Sequence, residues 1–186
     1  ACSYAESLSF QSWSQEASFL GASNSVYRFS KVMENTDALG KIVRRYNARV
    51  TTLDNASMGD VHAFQPTIKI DQQNYYGTFG YVDFEITFVQ SETATPVTLT
   101  DWRAFAIDVD GDSYRLREAV GFIDCDRYTP EKNSKLDVMT YDLSANTVYS
   151  FSSRNTSTAS GIDVTATENM TYMEFTFYYY QYILNL

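Results

Sequence analysis

From Tyr81 to Val89 apolar and polar residues alternate strictly, with Val82, Phe84, Ile86 and Phe88 on one side and Asp83, Glu85 and Thr87 on the other. A period of two marks a half-buried β-strand, because successive side chains leave opposite faces of the pleated backbone. The same period predicts strands over Val26 to Val32 and Tyr114 to Ile123. Ile42 to Leu53 reads as one long strand, with Arg44, Tyr46, Ala48 and Val50 on one face and Arg45, Asn47 and Arg49 on the other. Val97 to Val109 is apolar on both faces, as a strand inside a sandwich would be. Lys135 to Tyr141, Thr147 to Ser152, Ile162 to Thr167 and Met170 to Leu184 supply four more strands. Turn residues punctuate the series at Asn35-Thr36-Asp37, Asp54-Asn55-Ala56-Ser57 and Ser91 to Thr95, and Pro66 gives the extended run Ala63 to Ile70 the character of an edge or a bulge. Strands recur at intervals of roughly 10 to 15 residues with no helical stripe of useful length, which predicts an all-β, antiparallel β-sandwich of jelly-roll or immunoglobulin-like type.

The two ends of the sequence are patterned differently. Residues 1–24 carry neither clean alternation nor a helical stripe around Phe10, Trp13, Phe19 and Leu20. They read as an N-terminal arm or an opening strand near Tyr4 to Phe10 followed by a loop, ahead of a single sandwich domain over 25–186. Tyr172 to Leu184 is aromatic or apolar at nearly every position. That excludes an exposed edge and leaves two readings: a central strand covered on both sides, or a strand whose outer face is buried by another subunit.

Composition narrows the class. The 186 residues include 15 Tyr and 12 Phe, far too aromatic for a disordered chain. A formal charge of -9 opposes binding to phosphate backbones, so nucleic acid is not an expected partner. No apolar run reaches the roughly 18 residues of a spanning helix. The start Ala1-Cys2-Ser3, without initiator Met or leader features, is what a mature exported product would show. Cys2 and Cys125 either form one disulfide, closing a loop of roughly 120 residues worth about 4 to 5 kcal/mol, or are two unrelated buried thiols. The sequons at Asn55, Asn155 and Asn169 are glycosylation candidates in a secreted protein.

The most specific chemistry lies in Asp108-Val109-Asp110-Gly111-Asp112. Carboxylates two apart on a tight turn can converge on one calcium ion, with Gly relieving the backbone. Asp108, Asp110 and Asp112 fit that pattern, and Glu118, or Asp37, Asp124 or Asp126 from other strand ends, could complete the shell. The alternative is a solvated turn paired with Arg115 and Arg117. The polar stretch Asp71 to Gly80 reads as a loop that offers Tyr75, Tyr76 and Phe79 as a stacking surface. Catalysis finds little footing. His62 is the sole histidine, no nucleophile-elbow, zinc-protease or phosphate-loop motif occurs, and a carboxylate pair from Asp83, Glu85 and Glu118 would need a facing geometry that spacing cannot supply.

Ser25 to Phe122 resembles a β-sandwich domain that recurs in large secreted and cell-surface proteins of bacteria. The matching pieces, in order, are Val26-Tyr27-Arg28-Phe29, Asp37-Ala38, Ala63-Phe64-Gln65-Pro66-Thr67-Ile68, Val82 to Phe88, Pro96-Val97-Thr98-Leu99, Ile107 to Asp112, and Leu116-Arg117-Glu118. The resemblance implies an extracellular non-catalytic module, with Asp108, Asp110, Asp112 and Glu118 as the positions to hold a metal if such domains bind one. The expectation is therefore a structural or adhesive surface protein that self-assembles with copies of itself into a filament by exchange of a terminal strand. Its rival is a calcium-dependent module for a surface glycan or peptide, stacking on Tyr75, Tyr76 and Phe79.

Overall fold

The computed structural model describes residues 8–53, 64–72, 78–99, 102–109, 116–143, 146–153, 160–166 and 172–181. Its spine is β6 (Thr78–Gln90), the strand with the strictest alternation. Val82, Phe84, Ile86 and Phe88 turn inward and are buried, while Tyr81, Asp83, Glu85 and Thr87 are half-buried on the other face. On one side β6 pairs with β3 (Thr36–Tyr46), followed by β2 (Val26–Met33) and β1 (Trp13–Ala17). On the other it pairs with β13 (Tyr172–Gln181), followed by β8 (Leu116–Ile123), β11 (Asn146–Ser153) and β10 (Leu136–Leu143). The result is an eight-stranded sheet, β1-β2-β3-β6-β13-β8-β11-β10, antiparallel throughout.

A second layer in two pieces covers the inner face. One is the ribbon of β4 (Ala48–Thr52) and β5 (Thr67–Ile70). It buries Ala48 and Val50, with Ile68 and Ile70 packed against the core. Just before β5, the Phe64 ring meets Phe84 edge-on at 5.2 Å and Phe29 at 5.8 Å. The other piece is the sheet β7 (Trp102–Val109), β12 (Ser160–Ala166) and β9 (Arg127–Pro130). Ala104 and Ala106 pack on the core from β7, and Tyr128 of β9 reaches Tyr149 of β11 at 6.0 Å. The chain is thus an all-β antiparallel sandwich, as the alternation predicts.

Local departures from the sequence reading have identifiable causes. The expected single strand Ile42 to Leu53 is two strands: a bulge between Ile42 and Arg44 shifts the faces within β3, and a left-handed Asn47 (φ 48) ends it and sends the chain into the second layer. Asn47 holds this corner with its side chain, donating to the carbonyls of Phe79 at 3.0 Å and Gln72 at 3.1 Å and accepting from the Gln72 amide at 3.1 Å. The pass is tight. A Cβ on Gly80 would lie 2.7 Å from Ile70 Cδ1 and 2.9 Å from the Asn47 carbonyl oxygen.

Thr36 and Asp37, expected in a turn, open β3 instead. The turn is Glu34-Asn35, with Asn35 left-handed (φ 55). Trp13–Ala17, expected as loop, is a strand hydrogen-bonded to β2, and Phe10 before it is buried against Phe29 at 5.2 Å. The exposed strand β9 has no counterpart in the hydrophobic pattern.

Candidate functional site

The corner at Asn47 creates the most distinctive surface. Past the bulge, Tyr46 pairs with Tyr81 on the outer face of the large sheet, and Phe79 follows two residues along β6 on the same face. The three rings form a cluster: Tyr46 stacks on Tyr81 at 6.0 Å with 24° between planes, Tyr46 lies 5.9 Å from Phe79, and Phe79 lies 5.8 Å from Tyr81. Tyr46 is 57% exposed, so the cluster presents an aromatic face to solvent. The backbone register continues beside it, with Tyr178 opposite Tyr81 and Tyr180 opposite Phe79. Next to Tyr46 lies an open depression of about 300 Å³ lined by Tyr46, Asn47, Asp71 and Gln72.

Charges brace this corner. Asp71 accepts from Arg45 at 2.9 Å and from Arg49 at 2.6 Å, and Arg45 also donates to the Ala48 carbonyl at 3.0 Å. Arg44 reaches Asp83 at 2.9 Å. These pairs are solvent-accessible, so each contributes at most about 1 kcal/mol. Their effect is to fix the approach to the rings. An aromatic face beside a polar hollow suits a ligand with one apolar and one hydroxylated or amide-bearing side, such as a sugar ring or an extended peptide.

A second polar cluster is internal. Asp37 is buried and accepts four bonds: from the Lys31 amide at 2.9 Å, the Glu92 amide at 2.9 Å, Ser91 Oγ at 2.9 Å and Arg28 Nη1 at 3.0 Å. Burial alone would raise its pKa. The two backbone amides, then Arg28 and Ser91, outweigh that and hold the carboxyl at about 2. Arg28 extends the network to Glu16 of β1 at 2.6 Å and to the Thr93 carbonyl at 2.9 Å. The cluster ties three strands and the turn after β6 together. Both oxygens of Asp37 are thus engaged within the chain, and its charge answers to Arg28.

Some of the residues singled out from the sequence fall on described elements. Phe79, expected in a loop, is a half-buried strand residue of β6, because the ladder to β13 extends to Thr78. Asp108 is in β7 and Glu118 in β8, strands of different sheets. Asp83 is committed to Arg44. Asp124 accepts from the Thr147 amide at 2.9 Å. Cys125 is buried, and burial, with the nearby charges of Asp126 and Asp124 adding to it, pushes its thiol up to about 11, so it is protonated at neutral pH. Cys2, Asn55, His62, Tyr75, Tyr76, Asp110, Asp112, Asn155 and Asn169 lie outside the described residues. Among the described residues no three His, Cys, Asp or Glu side chains gather around a common metal position.

Tyr46 is the site residue that alternation misplaces, on the core side with Ala48 and Val50. The available signal was Asn47, since Asn inside an alternating run is the residue type that tolerates a left-handed break. Compared with protein-family models, with curated proteins and with solved structures, the chain matches none.

Proposed function

We propose that this chain is a non-catalytic extracellular structural or adhesive protein that assembles with copies of itself by exchange of β13. The observation that carries the reading is the position of β13. It pairs with β6 from Tyr172 to Gln181 and with β8 from Phe175 to Gln181, so a single strand joins β1-β2-β3-β6 to β8-β11-β10. The same strand supplied by a second copy satisfies both ladders in the same register, which is the condition for strand exchange. Each half-sheet without it would present a long open edge. Composition supports the remainder of the reading: an acidic, Tyr- and Phe-rich β-protein with one histidine and no hydrolase or phosphate-loop motif. Size-exclusion chromatography with light scattering, and electron microscopy, provide the test. Exchange yields oligomers that persist on dilution and separate only on unfolding, whereas a monomer at every concentration refutes it.

The outer aromatic face favours a second reading, a glycan- or peptide-binding module. Tyr46, Phe79 and Tyr81 supply the stacking surface, with Tyr75 and Tyr76 in the segment leading into β6. Calcium held by Asp108, Asp110, Asp112 and Glu118 would stiffen the connection between β7 and β8. A glycan array probed with wild type and Tyr46→Ala, with and without chelator, separates the parts. Loss of signal with Tyr46→Ala supports the face, and loss with chelator supports the metal. Unaltered signals discard both.

A further inference from the structure

We infer that β10 is a dimerisation edge, pairing antiparallel with β10 of a second copy about a two-fold axis at Thr140. Among the described residues β10 has a hydrogen-bonded neighbour, β11, on one side only. The direction of its backbone groups follows from two bonds. The Thr147 carbonyl is taken by the Asp124 amide, on the β8 side of β11, so Thr147, Tyr149 and Phe151 point their backbone groups toward β8. Val148, Ser150 and Ser152 therefore bond β10, at Tyr141, Met139 and Asp137. Val138, Thr140 and Asp142 are left with N–H and C=O directed away from the sheet. Leu136 has the same parity, and its amide is taken by Ser134 Oγ at 3.2 Å.

This edge is long and partly apolar, with Asp137 and Asp142 as its charges. It runs eight residues without proline, and Val138, Met139 and Tyr141 are 37%, 62% and 37% exposed. The other edge of the same sheet, β1, has five residues and is tied back by the Glu16–Arg28 pair, and β9 in the second layer ends in Pro130.

One register pairs all three open backbone positions, Val138, Thr140 and Asp142, with those of a second copy. Outward-facing residues must meet outward-facing residues, and Leu136 is already engaged, which centres the pair on Thr140 against Thr140. Val138 then lies opposite Asp142 of the second copy and Asp137 opposite Leu143, so no two carboxylates face each other. Met139 meets Tyr141 of the second copy, twice by symmetry, at positions where side chains approach most closely. A second copy is therefore the occupant this edge fits, and the contact closes at two chains rather than propagating.

Thr140→Pro tests the inference without touching the internal ladder, because the amide it removes points outward. Met139→Lys provides a second variant, at a side chain already in solvent. Sedimentation velocity should show a rapidly reversible dimer for wild type and its loss in both variants, with far-UV circular dichroism unchanged. A wild-type monomer at the highest concentration reached, or a dimer surviving in a folded Thr140→Pro chain, overturns it. The register is checked by oxidising Met139→Cys and Tyr141→Cys chains together. A mixed crosslinked dimer above the wild-type background is expected, and a Met139→Cys self-link overturns the register. Exchange of β13 is distinguishable throughout: it persists on dilution and is indifferent to Thr140→Pro.

Discussion

The two ends of the eight-stranded sheet are finished in opposite ways. At the β1-β2-β3 end, Phe10, Tyr27 and Phe29 interlock edge-to-face, and the Glu16–Arg28–Asp37 network binds the strands to the turn after β6. At the β10 end, Leu136 alone of the strand's described side chains is buried, and Met139 stands 62% exposed. The apolar side chains at the first end are buried among one another, whereas Val138, Met139 and Tyr141 at the second are partly exposed. Buried packing is therefore concentrated at one end and the proposed association at the other, although both ends are built from the same antiparallel ladder.

The comparison breaks most readily at Phe29. Its ring is 1% exposed and contacts Phe10, Tyr27 and Phe64 at 5.2, 5.8 and 5.8 Å. Phe29→Ala is expected to cost about 3 to 5 kcal/mol, as large-to-small changes in packed aromatic cores do. Met139→Ala at the other end should fall within about 0.5 kcal/mol, the range of surface substitutions. Urea unfolding of the two variants gives both numbers, and comparable losses would show that the ends carry similar load.

The Asp37 network ranks next. Asp37→Asn removes the charge that offsets Arg28, whose side chain is 14% exposed, and leaves an amide that cannot accept all four donors. The expected loss is about 3 kcal/mol. The acid limb carries the same signature. The folded carboxyl sits at about 2, below its unfolded value, so the unfolded chain binds the proton more readily. The contribution is complete above the unfolded pKa and is lost as pH falls toward 2, about 2 kcal/mol in all. Stability measured between pH 5 and pH 2 should fall more steeply for wild type than for Asp37→Asn. Parallel curves would assign the acid sensitivity elsewhere.

The contrast between the ends was only partly legible in the sequence. The alternation of Val82, Phe84, Ile86 and Phe88 identified the spine, because a strand with one dry face writes its period directly. Thr36-Asp37 looked like a turn because Asp is a turn former, yet Asp37 is satisfied by donors from Lys31, Ser91 and Glu92, some of them more than 50 residues distant. Tyr46 changed sides at a bulge, which shifts every later residue of a strand by one face. Strand order was beyond reach for a different reason. Whether Tyr172 to Gln181 met its own chain or another depended on the edges of β6 and β8, and no local pattern encodes a pairing across 50 to 100 residues.

The smallest expected effect probes whether the closed end is fully optimised. Tyr27 is 1% exposed, and its ring lies over Gly40 on β3, where even a Cβ would collide with it. Its hydroxyl is buried with no hydrogen-bond partner among the described residues, and burial raises its pKa, so it is neutral at every physiological pH. A buried donor left unmade costs about 1 to 3 kcal/mol, whereas the ring contributes its packing with or without the oxygen. Tyr27→Phe keeps the contacts to Trp13 and Phe29 and removes the unsatisfied group. Stability should be unchanged or higher by about 1 kcal/mol, read as a shift in the urea midpoint at constant slope. A loss of that size would instead mean that the hydroxyl is bonded in solution, through a bound water, and that the closed end includes a polar tie as well as its aromatic packing.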